Sequence, residues 1–267
     1  MLKEIKVSPF SLVEGEKLEF IAENPNARNL YLYDIQEKIL IFVNQHLFLS
    51  SKMIIEHFQE FTALELKRHI KFLLKNSYLR AAFFKTDTGR SSGRGYFLGW
   101  RGKRQMNILG IKPNRYNELT CLTATDVKAI MSANQLILKA GIENECVVRK
   151  PIFTTSAILS KKCFRISGYV PSDNTEYLFY SIRSHSAEEI TEKANRMYST
   201  LKRKNNINSH KRKVIVCICD SREHMDEVKK IVSDSRLYSL KNTEIYFEND
   251  IDINFGNDLK FKFLHTA

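Results

Sequence analysis

No apolar run in this chain is long enough to span a bilayer, and its first residues, MLKEIKVSPF, hold neither an apolar signal core nor a small-residue cleavage site. Neither a membrane-spanning nor a secreted protein is expected. Cysteine usage points the same way. Cys121, Cys146, Cys163, Cys217 and Cys219 are an odd number, scattered, and without CxxC or Cys/His ligand spacing. That argues against a disulfide framework and against a zinc site. Cys217 and Cys219 stand two apart in the strand-like run VIVCIC, hence on one face, and are expected to be buried thiols. A cytoplasmic compartment follows.

Motifs that announce chemistry are missing too. There is no P-loop, no GxGxxG and no HExxH, and the histidines His46, His57, His69, His185, His210, His224 and His265 show no ligand spacing. GRGYFLG echoes a glycine-rich phosphate loop, but it lies between two strand signals and precedes no Lys-Ser/Thr. No catalytic residue, metal ligand or cofactor is assigned.

Acidic residues are in deficit: 30 Asp+Glu stand against 42 Lys+Arg, a net charge of +12 and a pI of about 9.4. Such an excess favours polyanions, and its distribution narrows the choice. Residues 33–116 carry 15 Lys+Arg and 6 Asp+Glu, or +9 of the total. A cationic surface concentrated in one segment is the footprint of a nucleic-acid-binding module.

That segment reads helix, helix, helix, hairpin. Asp34 caps the first helix with Glu37 in capping-box position, and Ile39, Leu40, Phe42 and Val43 make it a central core helix. Ser50 or Ser51 caps a second, SSKMIIEHFQ. Thr62 caps a third, TALELKRHIKFLLKN, with Glu65 at the box position. On it Leu64, Leu66, Ile70, Leu73 and Leu74 form an apolar stripe, while Lys67, Arg68, Lys71 and Lys75 project away from it. Strands Leu79–Lys85 and Tyr96–Trp100 then flank a polar tip, DTGRSSGRG, in which Arg90 and Arg94 are suited to phosphate or a narrow minor groove. A short helix follows, with Arg101, Lys103 and Arg104 near its start. This is the layout of a winged helix-turn-helix, and duplex DNA is its natural partner.

Residues 1–32 contain two strand-like runs, LKEIKV and EKLEFIAE, with a turn at VEGEK; they are treated as an N-terminal extension without assigned function. KPNRYNEL reads as a linker. Beyond it the chain predicts a helix over 123–140 stopped by Gly141, and strands at CVVRK, CFRISGYV and EYLFYSIRS. A helix from Ser186 with Glu189 in box position comes next, then the basic loop 202–213. The strand VIVCICD, the helix SREHMDEVKKIVSD, and strands TEIYFE and LKFKFL close the chain. The loop 202–213 is either a source of phosphate contacts or a disordered surface segment. The whole is an α/β chain of the α+β kind: an N-terminal winged helix (33–116), then a mixed-sheet domain (117–267).

The helix–strands–helix–strand order of 117–267 resembles the core of the PD-(D/E)xK nucleases. In that pattern an acid is expected near Ser167–Gly168 and an acid-x-Lys pair near Tyr180–Arg183, but this chain has YSIR there. Asp173 and Glu176 fall in the intervening turn. Without carboxylates a divalent metal has no anionic ligand set, so the domain is expected to be nuclease-like in shape and inactive. KFLLKNSYLR, YFLGWRGKRQMNILG, LTATDVKAIM and VIVCICDSREHMDEVKKIV together resemble the bacterial replication-relaxation family, over roughly Asp34 to Glu248. That resemblance implies a winged helix joined to a degenerate nuclease-like domain, on a plasmid or integrative element. It implies a role in replication or relaxosome assembly for DNA transfer, with double-stranded DNA as ligand and relaxase or replication proteins as partners. Homodimerisation is compatible with it. A winged-helix transcriptional regulator, a metal-dependent nuclease and a protein-docking adaptor are the alternatives.

Overall fold

The structure, a computed structural model, describes residues 8–11, 13–27, 30–89, 91–113, 122–143, 152–153, 166–169, 175–183, 185–205 and 212–255. It bears out the mixed α/β class. The chain divides into two compact units, Leu12–Val127 and Met1–Ser11 with Lys128–Ala267. The expected division was an extension over 1–32, then 33–116 and 117–267; the two units meet instead at Ser11/Leu12 and Val127/Lys128.

In the first unit, β1 (Lys17–Phe20), β2 (Leu79–Lys85) and β3 (Ser91–Leu98) form an antiparallel sheet in that order. The register Lys17↔Lys85 to Phe20↔Ala82 makes β1 a third strand laid along the hairpin, so Lys17–Phe20 is part of this sheet rather than of an appendage. Three helices back the sheet: α1 (Asp34–His46), α2 (Ser51–His57) and α3 (Ala63–Lys75). Leu49, between α1 and α2, makes an antiparallel bridge with Tyr96 and ties the helical turn to β3. α1 is the core helix expected, with Ile39, Leu40 and Val43 fully buried. Its N-cap is Tyr33, not Asp34: the Tyr33 backbone N–H donates to Gln36 Oε1 at 3.0 Å. Asp34 and Glu37 instead occupy the first turn, where they complement the helix dipole.

α4 (Trp100–Ile108) closes this unit against the start of β2. The approach is close. A Cβ on Gly102 would lie 2.2 Å from the Tyr78 carbonyl oxygen, and one on Gly99 2.3 Å from that of Ser77. Glycine is required at both positions by contact with backbone, which cannot give way as a side-chain tip can.

The second unit is built on a five-stranded sheet in the order β4 (Ile152–Phe153), β5 (Ile166–Tyr169), β6 (Thr175–Ser181), β7 (Arg212–Cys219), β8 (Thr243–Asn249). β4, β5 and β6 pair antiparallel; β6, β7 and β8 pair parallel. The parallel strands need crossovers, supplied by α6 (Ala187–Asn205) and α7 (Arg222–Ser233). Along β7 every residue from Lys213 to Cys219 is buried, as a central strand covered on both faces requires. The strand's period of two sorts its side chains. Val214, Val216 and Ile218 join Phe179 and the α5 (Ala124–Glu143) residues Ala133, Leu136, Ile137 and Ala140 in one core layer. Ile215, Cys217 and Cys219 face Ile190, Met197 and Leu201 of α6 and Val228 and Val232 of α7 in the other. The two thiols are buried on one face as expected, and burial pushes that of Cys217 up to about 12.

Other expectations are revised. α5 runs through Gly141 to Glu143 rather than stopping there, because one glycine costs a helix only about 1 kcal/mol. Glu176 lies within β6, not in a turn. The six-residue helix α8 (Asp250–Phe255) at the end of β8 stands where the sequence showed no helix signal. The predicted strands LKEIKV, CVVRK and LKFKFL lie outside the described residues, as do Asp173 and the middle of the basic loop.

Candidate nucleic-acid interface and a histidine–aspartate cluster

α3 begins in a complete capping box. Thr62 N–H donates to Glu65 Oε2 at 2.9 Å and Glu65 N–H to Thr62 Oγ1 at 3.3 Å. The hydroxyl of Thr62, and then its backbone N–H, hold the Glu65 carboxyl below its ordinary range. Leu66, Ile70 and Leu73 are buried and seat the helix. Gln36 Nε2 lies 3.2 Å from His69 Nδ1 and links α3 to α1. With that face committed inward, Lys67, Arg68, Lys71 and Lys75 are all exposed. Among the described residues none of the four is held in an ion pair. Leu64 departs from the expected stripe: it is 59% exposed, near the helix N-terminus and spaced three and four residues from Lys67 and Arg68. In a helix-turn-helix that end meets base edges, and an apolar side chain there suits a thymine methyl.

The remaining residues expected at the interface separate. Arg94 is exposed on β3, its guanidinium 4.7 Å from the ring centre of Phe83, its cross-strand partner. This cation–π contact pre-orders the side chain at little cost to its charge. Arg104 is exposed on α4. Arg101 is a correction: it is 3% exposed, with its guanidinium over the rings of Tyr78 and Trp100, so it acts in packing and is not presented to a ligand. Lys103 is half-buried; desolvation lowers its pKa, against the attraction of Glu23. Arg90 lies outside the described residues.

The second unit brings together groups that the sequence reading left apart. At the C-terminal ends of its parallel strands, Asp220 follows β7, and His224 sits in the first turn of α7, capped by Ser221. His185 precedes α6. Asp220 Oδ1 lies 2.8 Å from His224 Nδ1, and Oδ2 lies 3.0 Å from His185 Nε2. The imidazoles stack with centroids 4.0 Å apart. Burial alone would raise the Asp220 carboxyl; hydrogen bonds and charge from His224 and then His185 outweigh it and hold the pKa at about 2. The spacing Asp220–His224, four residues across a strand-to-helix junction, was a usable signal in the sequence. His185, 35 residues upstream of Asp220, could be joined to it only by the β6–α6–β7 crossover.

Beside this cluster in the fold's topology, at the same strand ends, Arg183 and Asp250 form an ion pair in which both side chains are 1% exposed. Ser8 Oγ and Ser132 Oγ donate to the Asp250 carboxylate at 2.6 and 2.7 Å, and Arg183 Nε donates to Ser181 Oγ at 2.7 Å. The YSIR stretch, Tyr180–Arg183, thus ends in a buried arginine paired with Asp250. Comparison with protein-family models, curated proteins and solved structures finds no match to this chain. Among the described residues, no helix is long and apolar enough to cross a membrane.

Proposed function

We propose that this chain is a non-enzymatic, double-stranded DNA-binding protein. Its α3 enters the major groove while the β2–β3 hairpin lies along the backbone or minor groove. The carrying observation is the exposed row Lys67, Arg68, Lys71 and Lys75 on a helix that is capped, packed from behind and followed directly by a hairpin bearing the pre-ordered Arg94. The resemblance to the replication-relaxation family extends this to an accessory role in replication or relaxosome assembly on a plasmid or integrative element. Relaxase or replication proteins would then be partners, in the cytoplasm. YSIR and the buried Arg183 favour a second unit that binds or docks rather than cleaves.

Salt dependence tests the interface. If the four α3 cations and Arg94 each displace a counterion, log K falls against log salt with a slope of roughly −4.5. Lys67→Ala with Lys71→Ala should weaken binding and flatten that slope by about 1.8. Affinity and slope unchanged from the parent in an anisotropy titration would remove α3 from the interface. Sequencing DNA crosslinked to the protein in its host then separates an origin or transfer site from a promoter, the latter favouring a transcriptional regulator.

A further inference from the structure

We propose that His185, Asp220 and His224 form a binding site for a zinc-class divalent transition metal. The three side chains offer Nε2, a carboxylate oxygen and Nδ1, all within 4.8 Å of one another. Nitrogen and carboxylate donors in this ratio suit zinc and its neighbours, whereas magnesium and calcium demand shells of oxygen. Metal–ligand bonds of 2.0–2.1 Å in a tetrahedron put ligand atoms roughly 3.3 Å apart. His224 Nδ1 lies 2.8 Å from Asp220 Oδ1 and His185 Nε2 lies 3.0 Å from Oδ2, so one ion would be held after a turn of the exposed His185 ring that draws the ligand atoms, now within 4.8 Å of one another, to that spacing.

The surroundings divide the site into a fixed and a yielding half. Asp220 and His224 have side chains 7% and 1% exposed, one anchored at the end of the central strand and the other in the first turn of α7. His185 is 58% exposed and free to swing by the required amount. Three protein ligands with one side toward solvent leave a coordination position for water or an oxyanion, the arrangement of an open rather than a closed zinc site.

The test uses the full, tag-free chain stripped with EDTA and titrated with zinc sulfate by calorimetry, with cobalt(II) absorption as a second readout. Expected are one zinc per chain and visible ligand-field bands of a four- or five-coordinate cobalt. His185→Ala removes an exposed ligand, so the fold, followed by circular dichroism, is retained. It should weaken zinc binding by roughly tenfold or more, since even outer-shell partners act on the scale of 10–100-fold. Asp220→Asn, near-isosteric, should do the same. Absence of saturable one-to-one binding overturns the proposal, and so does zinc affinity in His185→Ala equal to that of the parent. DNA binding is not part of the readout, so failure here leaves the winged-helix reading standing.

Discussion

Replacing Arg183 by methionine should be among the most damaging single changes in the second unit. Arg183 and Asp250 are each 1% exposed, so neither has water to fall back on when its partner is removed. Breaking a buried pair from one side costs about 3–5 kcal/mol, because it strands the other charge. Here the stranded Asp250 would keep the hydroxyls of Ser8 and Ser132 at 2.6 and 2.7 Å, which places Arg183→Met toward the lower end, about 3 kcal/mol. With a urea m-value of about 2 kcal/mol/M, that moves the denaturation midpoint down by about 1.5 M. Asp250→Asn should be costly as well, since the guanidinium then keeps only neutral acceptors. In the double variant no unpaired charge is left, so its loss should fall well below the sum of the singles. Circular dichroism at 222 nm gives the midpoints, and hydrogen exchange of peptides spanning β7 reports whether the loss is local to this sheet. Single-variant costs below about 1 kcal/mol that add in the double would refute the reasoning, because they would mean that the pair is solvated.

Gly102→Ala should destabilise the winged-helix unit by about 1–3 kcal/mol, since its Cβ meets the Tyr78 carbonyl at 2.2 Å. Gly93→Ala, whose Cβ reaches only Phe84 Cδ2 at 3.6 Å, should be nearly neutral; thermal melts followed by Trp100 fluorescence compare the two. The His57 ring stacks on Phe42 at 3.9 Å and packs edge-on to Phe58; desolvation lowers its pKa below 6.5. The unfolded chain therefore binds the proton more readily than the folded one. Stability from the neutral ring is present above pH of about 6.5 and is lost as pH falls through the lowered folded value. A series of melts from pH 8 to 5 should show this acid-side loss in the parent and less of it in His57→Phe; identical profiles would exclude His57 as its source.

Much of the winged helix was legible because its signals are local. The Thr62–Glu65 box spans three residues, and the 3.6-residue period placed Leu66, Ile70 and Leu73 inside and the four cations outside. Leu64 escaped the pattern because it lies at the helix N-terminus, where the stripe runs past the end of the core. Arg101 escaped because composition cannot tell a solvated arginine from one packed over Tyr78 and Trp100. Strand β1 was recognisable as a strand, but not as a member of the hairpin sheet, because Lys17 and Lys85 meet only through long-range pairing.

Periodicity, capping and charge clustering are properties of neighbouring residues, so the sequence alone determined the α+β class, the order of most elements and the cationic face of α3. Tertiary structure decided which distant groups share a site. It delivered His185 to Asp220 and His224, and Arg183 to Asp250, because parallel pairing of β6, β7 and β8 gathers the ends of all three strands at one edge. No local pattern encodes that convergence, since the crossovers place the ends of β7 and β8, at Cys219 and Asn249, far along the chain from the end of β6 at Ser181.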